Sequence, residues 1–220
     1  MTLLVISACA GPHPDPVPEP RAIELFDGTL VGWERRGGAA DFTVEDGCIV
    51  GRPRPRERNS FLCTTREFSD FTFEYEFMID DGFNSGVQIR SRVDGVGERE
   101  RVVGYQVEID PSERAWSAGI YEEGLRGWLA PLTGNPDAQG AFRHNQWNHV
   151  RVEAAGPHIR TWINGVPAAD LNDTAAATRV IGLQVHGVGD STQTACVRWR
   201  GLQLVPRDAA ELIRPNGSTP

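Results

Sequence analysis

Between about residues 21 and 206 the chain alternates in twos. In "FTFEYEFMI" (71–79), Phe71, Phe73, Tyr75, Phe77 and Ile79 fall on one face of an extended strand, and Thr72, Glu74, Glu76 and Met78 on the other. "DFTVEDGCIVG" reads as two short strands meeting at Glu45-Asp46-Gly47. "IRTWINGVPAADL" reads as a hairpin turning at Asn164-Gly165. "SGVQIRS", "GYQVEID", "HVRVEAAG", "VIGLQVHGV" and "CVRWRGLQLVP" repeat the alternation. No helical period is sustained over about ten residues in this region. "RDAAELIR" (207–214) allows one short terminal helix within a C-terminal tail (207–220). Short alternating strands without parallel crossovers predict an all-β fold over 21–206, a β-sandwich or jelly roll of antiparallel sheets. The intervals 91–103 and 111–145, rich in Gly, Pro, Trp and Arg, read as long loops of the kind that carry function.

Composition narrows the chemistry. The chain has 220 residues and a formal net charge of −8, which argues against a non-specific nucleic-acid partner. Its 22 basic residues are all Arg, so Schiff-base and lysine-nucleophile chemistry are absent. No stretch is long enough to span a bilayer as a helix. The opening "MTLLVISACAGPHPDP" places a short apolar run and small residues before Cys9. That resembles the end of a bacterial lipoprotein signal over residues 1–9, although the basic start of such signals is missing. Pro at every second position from Pro12 to Pro20 then predicts an extended spacer over 10–20, rising about 3 Å per residue. On this reading the protein is exported, periplasmic or anchored to the outer membrane, and Cys9 is its only membrane attachment. A plain tail is the alternative. Cys48 and Cys63 could pair in an oxidising compartment, leaving Cys196 as a buried thiol.

Three strands share a polar design. With Val87 and Ile89 inward, "SGVQIRS" turns Gln88 and Arg90 outward. "GYQVEID" presents Gln106, Glu108 and Asp110 opposite Tyr105, Val107 and Ile109, and "GLQVHG" presents Gln184 and His186 opposite Leu183 and Val185. Each offers a Gln followed two residues later by an ionisable group. On one curved sheet, a cation, a carboxylate and an imidazole would converge into an acid–base site. A solvated sheet face is the plainer reading of the same pattern. The loop "RAWSAGIYEEGLRGWLAPL" adds Trp116, Tyr121 and Trp128, residues that either pack on sugar C–H faces or pin the loop down.

The ordered segments "ELFDGTLVGWERRG", "FTVEDGCIVG", "FSDFTFEYEFMIDDGFNSGVQIR", "GYQVEIDPSERAWSAGIYEEGLRGWL", "QWNHVRVEAAGPHIRTWINGVPAADL" and "GLQVHG" resemble the 3-keto-disaccharide hydrolase domain family over nearly all of residues 23–205. The resemblance implies a concanavalin A-like jelly roll and cleavage of glycosides already oxidised to a ketone at C3. Such a ketone acidifies the C2 proton, so a base can form an enolate and expel the C1 substituent, with water adding afterwards. Carried over to this chain, it implies Glu108 and His186 as base, acid or metal ligand, and Arg90 as the group that stabilises the enolate or orients the substrate. Asn84, Gln88, Gln106 and Gln184 would position hydroxyls, and Asp110, Tyr121 and Trp147 would line the site. It further implies a divalent cation in some members, with ligands not readable here. The small oxidised substrate would come from a separate 3-dehydrogenase, since no Gly-rich nucleotide-binding turn occurs in this chain. A non-catalytic sugar-binding module, an ordinary two-carboxylate glycosidase and a surface adhesion domain remain the alternatives.

Overall fold

The computed structural model describes residues 21–176, 179–192 and 194–207. The expectations for Cys9, the 10–20 spacer and the terminal helix fall outside these residues, apart from Arg207. Alternation produces β1 (Ile23–Glu24), β2 (Trp33–Gly37), β3 (Asp41–Glu45), β4 (Cys48–Arg52), β5 (Ser60–Thr64), β6 (Phe71–Ile79), β7 (Ser85–Asp94) and β8 (Arg101–Ile109). There follow β9 (Ile120–Glu123), β10 (Gly127–Ala130), a short helix α1 (Pro136–Ala141), β11 (Asn148–Ala155), β12 (His158–Ile163), β13 (Val166–Asn172), β14 (Val180–Val185) and β15 (Val197–Pro206).

The strands form two antiparallel sheets packed face to face. One runs β13-β12-β11-β6-β15-β4-β3, with β1 added beside β15, and the other runs β10-β9-β8-β7-β14-β5-β2. The inner face of β6 supplies Phe71, Phe73, Tyr75 and Phe77, none with measurable exposure. They meet Val87, Ile89, Tyr105, Val107, Ile109, Leu183 and Val185 from the other sheet in one core. Each such aromatic or branched side chain contributes roughly 1.5–3 kcal/mol by leaving water. The outer face of β6 carries Glu74 and Glu76, ion-paired to Arg151 and Arg200. The sequence period thus becomes a division between core and solvent.

Two turns follow the predicted chemistry. Asp46-Gly47 and Asn164-Gly165 each take left-handed φ, +48° with +74° and +50° with +84°, which only Gly and short polar residues adopt cheaply. The interval 111–145 departs from expectation: it folds into the β9–β10 hairpin and α1. The strands have four residues each and the helix six, too short for a period to register, though Asn135 caps α1 by accepting from the Ala138 amide. The expected Cys48–Cys63 pairing is also corrected. Their strands, β4 and β5, belong to different sheets, and Cys48, Cys63 and Cys196 are all buried free thiols.

Candidate active site

The outer face of the seven-stranded sheet carries the polar row. Register puts Gln106 opposite Gln88 on β7 and opposite Tyr121 on β9, while Glu108 lies opposite Gly86, which itself faces Gln184 on β14. A Cβ on Gly86 would stand 2.5 Å from the Gln106 side chain, so the bare backbone there is what lets that amide lie across the sheet. Above these strands opens a polar cleft of about 250 Å³, lined by Asn84, Gln106, Glu108, Arg114, Tyr121, Glu123, Trp128 and His186.

Glu108 is the best-held group in it. Asn84 donates to Oε1 at 2.6 Å and Gln106 Nε2 to Oε2 at 2.7 Å, with the residue only 5% exposed. Behind Gln106 the bonds continue into the sheet: Gln88 Nε2 donates to Gln106 Oε1 at 2.5 Å, and Ser91 Oγ donates to Gln88 Oε1 at 2.6 Å. Burial pushes the Glu108 carboxyl up to about 7, against the two amide donors, with Asp110 adding to the rise and Arg114 opposing it. A carboxyl so placed changes charge near neutrality and can both take and return a proton.

A second carboxyl sits across the cleft. Glu123 accepts from Asn59 Nδ2 at 3.1 Å and from Gln184 Nε2 at 3.4 Å, and burial raises it despite Asn59, His186 and Gln184. Beside it, His186 Nδ1 lies 2.8 Å from the Gly187 carbonyl, which can only accept. That bond places a ring hydrogen on Nδ1 and leaves Nε2 uninvolved in it. The aromatic wall comes from the hairpin: Trp128 meets Trp116 edge-on at 4.8 Å and Tyr121 at 5.3 Å. Arg114 lies over both indoles, at 4.9 Å from Trp116 and 5.1 Å from Trp128, while its Nε donates to Asp110 at 2.7 Å. Burial alone would raise Asp110, but bonds from Ser112 and Arg114 hold it below the usual carboxylate range, so it stays an anion that anchors Arg114.

Several predicted site residues take other places. Arg90 leaves the cleft altogether. A register shift between Ile89 and Arg92 and a left-handed φ of +47° at Arg90 break the alternation. Its fully buried guanidinium instead binds the Ser69 carbonyl, the Gly156 carbonyl and Asp70 Oδ1, each at 2.7 Å. It ties β7 to the ends of β6 and β11. Trp147 packs against Cys48, Val50 and Cys196, with Arg200 stacked at 3.9 Å, on the outer face of the opposite sheet. Gln88 and Gln184 have no exposed surface, so they support Gln106 and Glu123 rather than touching a hydroxyl. Asp110, at 2% exposure, likewise acts on Arg114.

The sequence reading missed Glu123, Arg114 and Asn59. The alternation of "IYEE" closed by Gly124 and Gly127 was the signal for the first, since Tyr121 and Glu123 share a face. No three His, Cys, Asp or Glu side chains among the described residues stand together as a metal site. Glu108 and Asp110 are each committed to other partners, and the donor set does not fit a cation.

Comparison with known proteins agrees with this architecture. A Bacillus subtilis levanase is 23% identical over 163 residues, 73% of this chain, and the matched region spans only 22% of the levanase. A putative glycosyl hydrolase from Parabacteroides distasonis superposes with a TM-score of 0.58 at 18% identity, covering 84% of this chain and 99% of that one. The carbohydrate-binding module CBM66 from Bacillus subtilis superposes with a TM-score of 0.56 at 19% identity, covering 82% and 99% respectively. These likenesses give the fold, a jelly-roll sandwich. The 3-keto-alpha-glucoside-1,2-lyase-like domain model matches residues 21–205, which gives a carbohydrate-directed function, hydrolytic or binding. From the match across almost the whole described chain, this protein belongs to the 3-keto-alpha-glucoside-1,2-lyase-like domain family.

Proposed function

We propose that the protein cleaves 3-keto-glycosides by proton abstraction at C2. The observation that carries this reading is the buried Glu108, held on both oxygens by amide donors at the floor of a polar cleft and raised to about 7. Its ionised form takes the C2 proton, and the electron pair moves into the C2–C3 bond as the ketone becomes an enolate. Arg114, fixed by Asp110, is the cation in the cleft and takes the role that the resemblance gave to Arg90. The enolate then re-forms the ketone, C1–C2 becomes a double bond and the C1–O bond breaks. The departing oxygen receives a proton from the Glu123 and His186 side, where burial keeps Glu123 protonated to higher pH than an ordinary carboxyl. Water adds across C1–C2, with Glu108 returning its proton to C2, and the sum is hydrolysis. Trp128 and Tyr121 offer the apolar faces on which a pyranose packs. A separate oxidation at C3 must supply the substrate.

The aromatic wall equally suits binding without turnover, and the likeness to a carbohydrate-binding module favours that second reading. Leaving-group release from a chromogenic 3-keto-glucoside, beside its unoxidised counterpart, separates the two. Release from the keto sugar alone, reduced about 10²–10⁴-fold in Glu108→Gln, supports the enzyme. A parallel EDTA-treated sample tests for a metal requirement. No release above buffer, with binding of the unoxidised sugar retained, overturns the enzyme in favour of the module.

A further inference from the structure

The bonds behind Glu108 all point one way. Ser91 donates to Gln88, Gln88 to Gln106 and Gln106 to the carboxylate. That polarity is the one an anion demands, because a carboxylate only accepts. A protonated Glu108 is different: its O–H can donate to Gln106 Oε1 if that amide turns over. Gln106 Nε2 then faces Gln88, Gln88 turns in the same way, and its Nε2 needs an acceptor at Ser91.

Ser91 is suited to be that terminus. Its Oγ stands 2.6 Å from Gln88 Oε1, and also 3.0 Å from the Ile89 carbonyl and 3.2 Å from the Tyr105 carbonyl. Rotation about one bond therefore swings the hydroxyl hydrogen to the backbone and exposes a lone pair to Gln88. The local irregularity between Ile89 and Arg92 brings these carbonyls within reach. Across from it, Gly104 (φ +140°) leaves the space, since a Cβ there would lie 2.6 Å from Ser91 Oγ. Ser91 and Gln88 have no measurable exposure and Gln106 only 2%, so water does not readily substitute for a lost partner. Reversal exchanges the oxygen and nitrogen of the two amides without displacing the rest of either side chain and keeps each of those atoms paired, and no proton travels along the chain.

We propose that Ser91, Gln88 and Gln106 form a reversible amide relay that turns end for end as Glu108 gains and loses its proton, which makes Ser91 and Gln88 positioning residues for that carboxyl. Other groups facing Glu108 do not provide this response. Asn84 donates to the opposite oxygen, Asp110 and Arg114 are paired with each other, and Glu123 and His186 stand across the cleft. The relay deepens the proposed function and rests on it, because a base that must return its proton keeps its hydrogen-bond partners in both states.

The test is a pH titration of the side-chain amide ¹⁵N and ¹H resonances of Gln88 and Gln106 in the full chain, without substrate. Gln88, which does not touch Glu108, is expected to titrate with the same midpoint as the Glu108 carboxyl ¹³C resonance. In Glu108→Gln both amides are expected to stay at their low-pH positions at every pH, because the new amide donates to Gln106. In Ser91→Ala the Gln88 response is expected to fall below half its wild-type amplitude. A Gln88 amide that is silent through the Glu108 transition, or an E108Q spectrum matching the high-pH limit, overturns the relay. The wild-type titration stands without either variant and without turnover. A failed glycoside assay therefore bears on the proposed function alone.

Discussion

Replacing Glu108 by Gln is expected to stabilise the fold at alkaline pH while lowering turnover about 10²–10⁴-fold. The carboxyl is buried and its midpoint rises from the ordinary value of 4.5 to about 7. Below about pH 4.5 the group is protonated in folded and unfolded chains alike and has no effect on their balance. Between 4.5 and 7 the unfolded chain ionises first, so the folded state loses ground as pH rises. Above 7 the penalty is complete and constant. The displacement corresponds to about 3 kcal/mol of lost stability. A neutral Gln of the same shape escapes that penalty, provided its amide keeps two partners. Asn84 can donate to its oxygen, and Gln106 can accept from its nitrogen by turning over. The net expectation is a gain of about 2–3 kcal/mol at pH 8, shrinking to nothing near pH 4.5. Urea unfolding of both proteins at intervals from pH 4.5 to 8.5 measures it. Equal stability at pH 8, or a gain that does not depend on pH, would refute the reasoning. The carboxyl would then be either solvated or fully compensated by its donors.

Other substitutions separate site from scaffold. Arg90→Gln removes the charge-assisted bonds to Asp70 and two carbonyls and should cost about 3 kcal/mol, lowering Tm by about 6–12 °C, while kcat of the folded protein is unchanged. A large kcat loss without destabilisation would return Arg90 to the site. Gly86→Ala pushes the Gln106 side chain off Glu108 and should cost about 1–3 kcal/mol together with most of the activity, which unfolding and keto-glucoside assays read side by side. Trp128→Ala takes away the wall shared with Tyr121 and Arg114 and should raise KM about tenfold with a smaller change in kcat. Trp147→Ala, on the far face, should leave both constants as they are in the same kinetic assay, and a changed KM would place a second sugar surface there.

The two-residue period of β6 and β11 was readable because one buried face imposes it at every second position, while in β8, buried on both faces, the alternation of apolar and polar residue types carried it. Glu108 and Gln106 could be read from the same rule, and Asn84, Tyr121 and His186 came with them to the cleft. The rule failed at Arg90, where one irregular step turns a side chain to the opposite face. Such a step depends on partners at Ser69, Asp70 and Gly156, which lie far away in sequence. Trp147 misled for a related reason: its residue type suits a sugar platform, but its sheet faces the other way.

The sequence by itself determined the all-β class, the hairpin turns at Asp46-Gly47 and Asn164-Gly165, and the polar face of three strands, because these follow from local period and backbone conformation. Only the tertiary structure decided which polar residues meet. Glu123 reaches the cleft through the β9–β10 hairpin, Arg114 through its pairing with Asp110 and its two indoles, and the Gln88 amide disappears beneath Gln106. Convergence of groups from separate strands depends on register, sheet curvature and burial, and these are properties of the packed chain rather than of any local stretch.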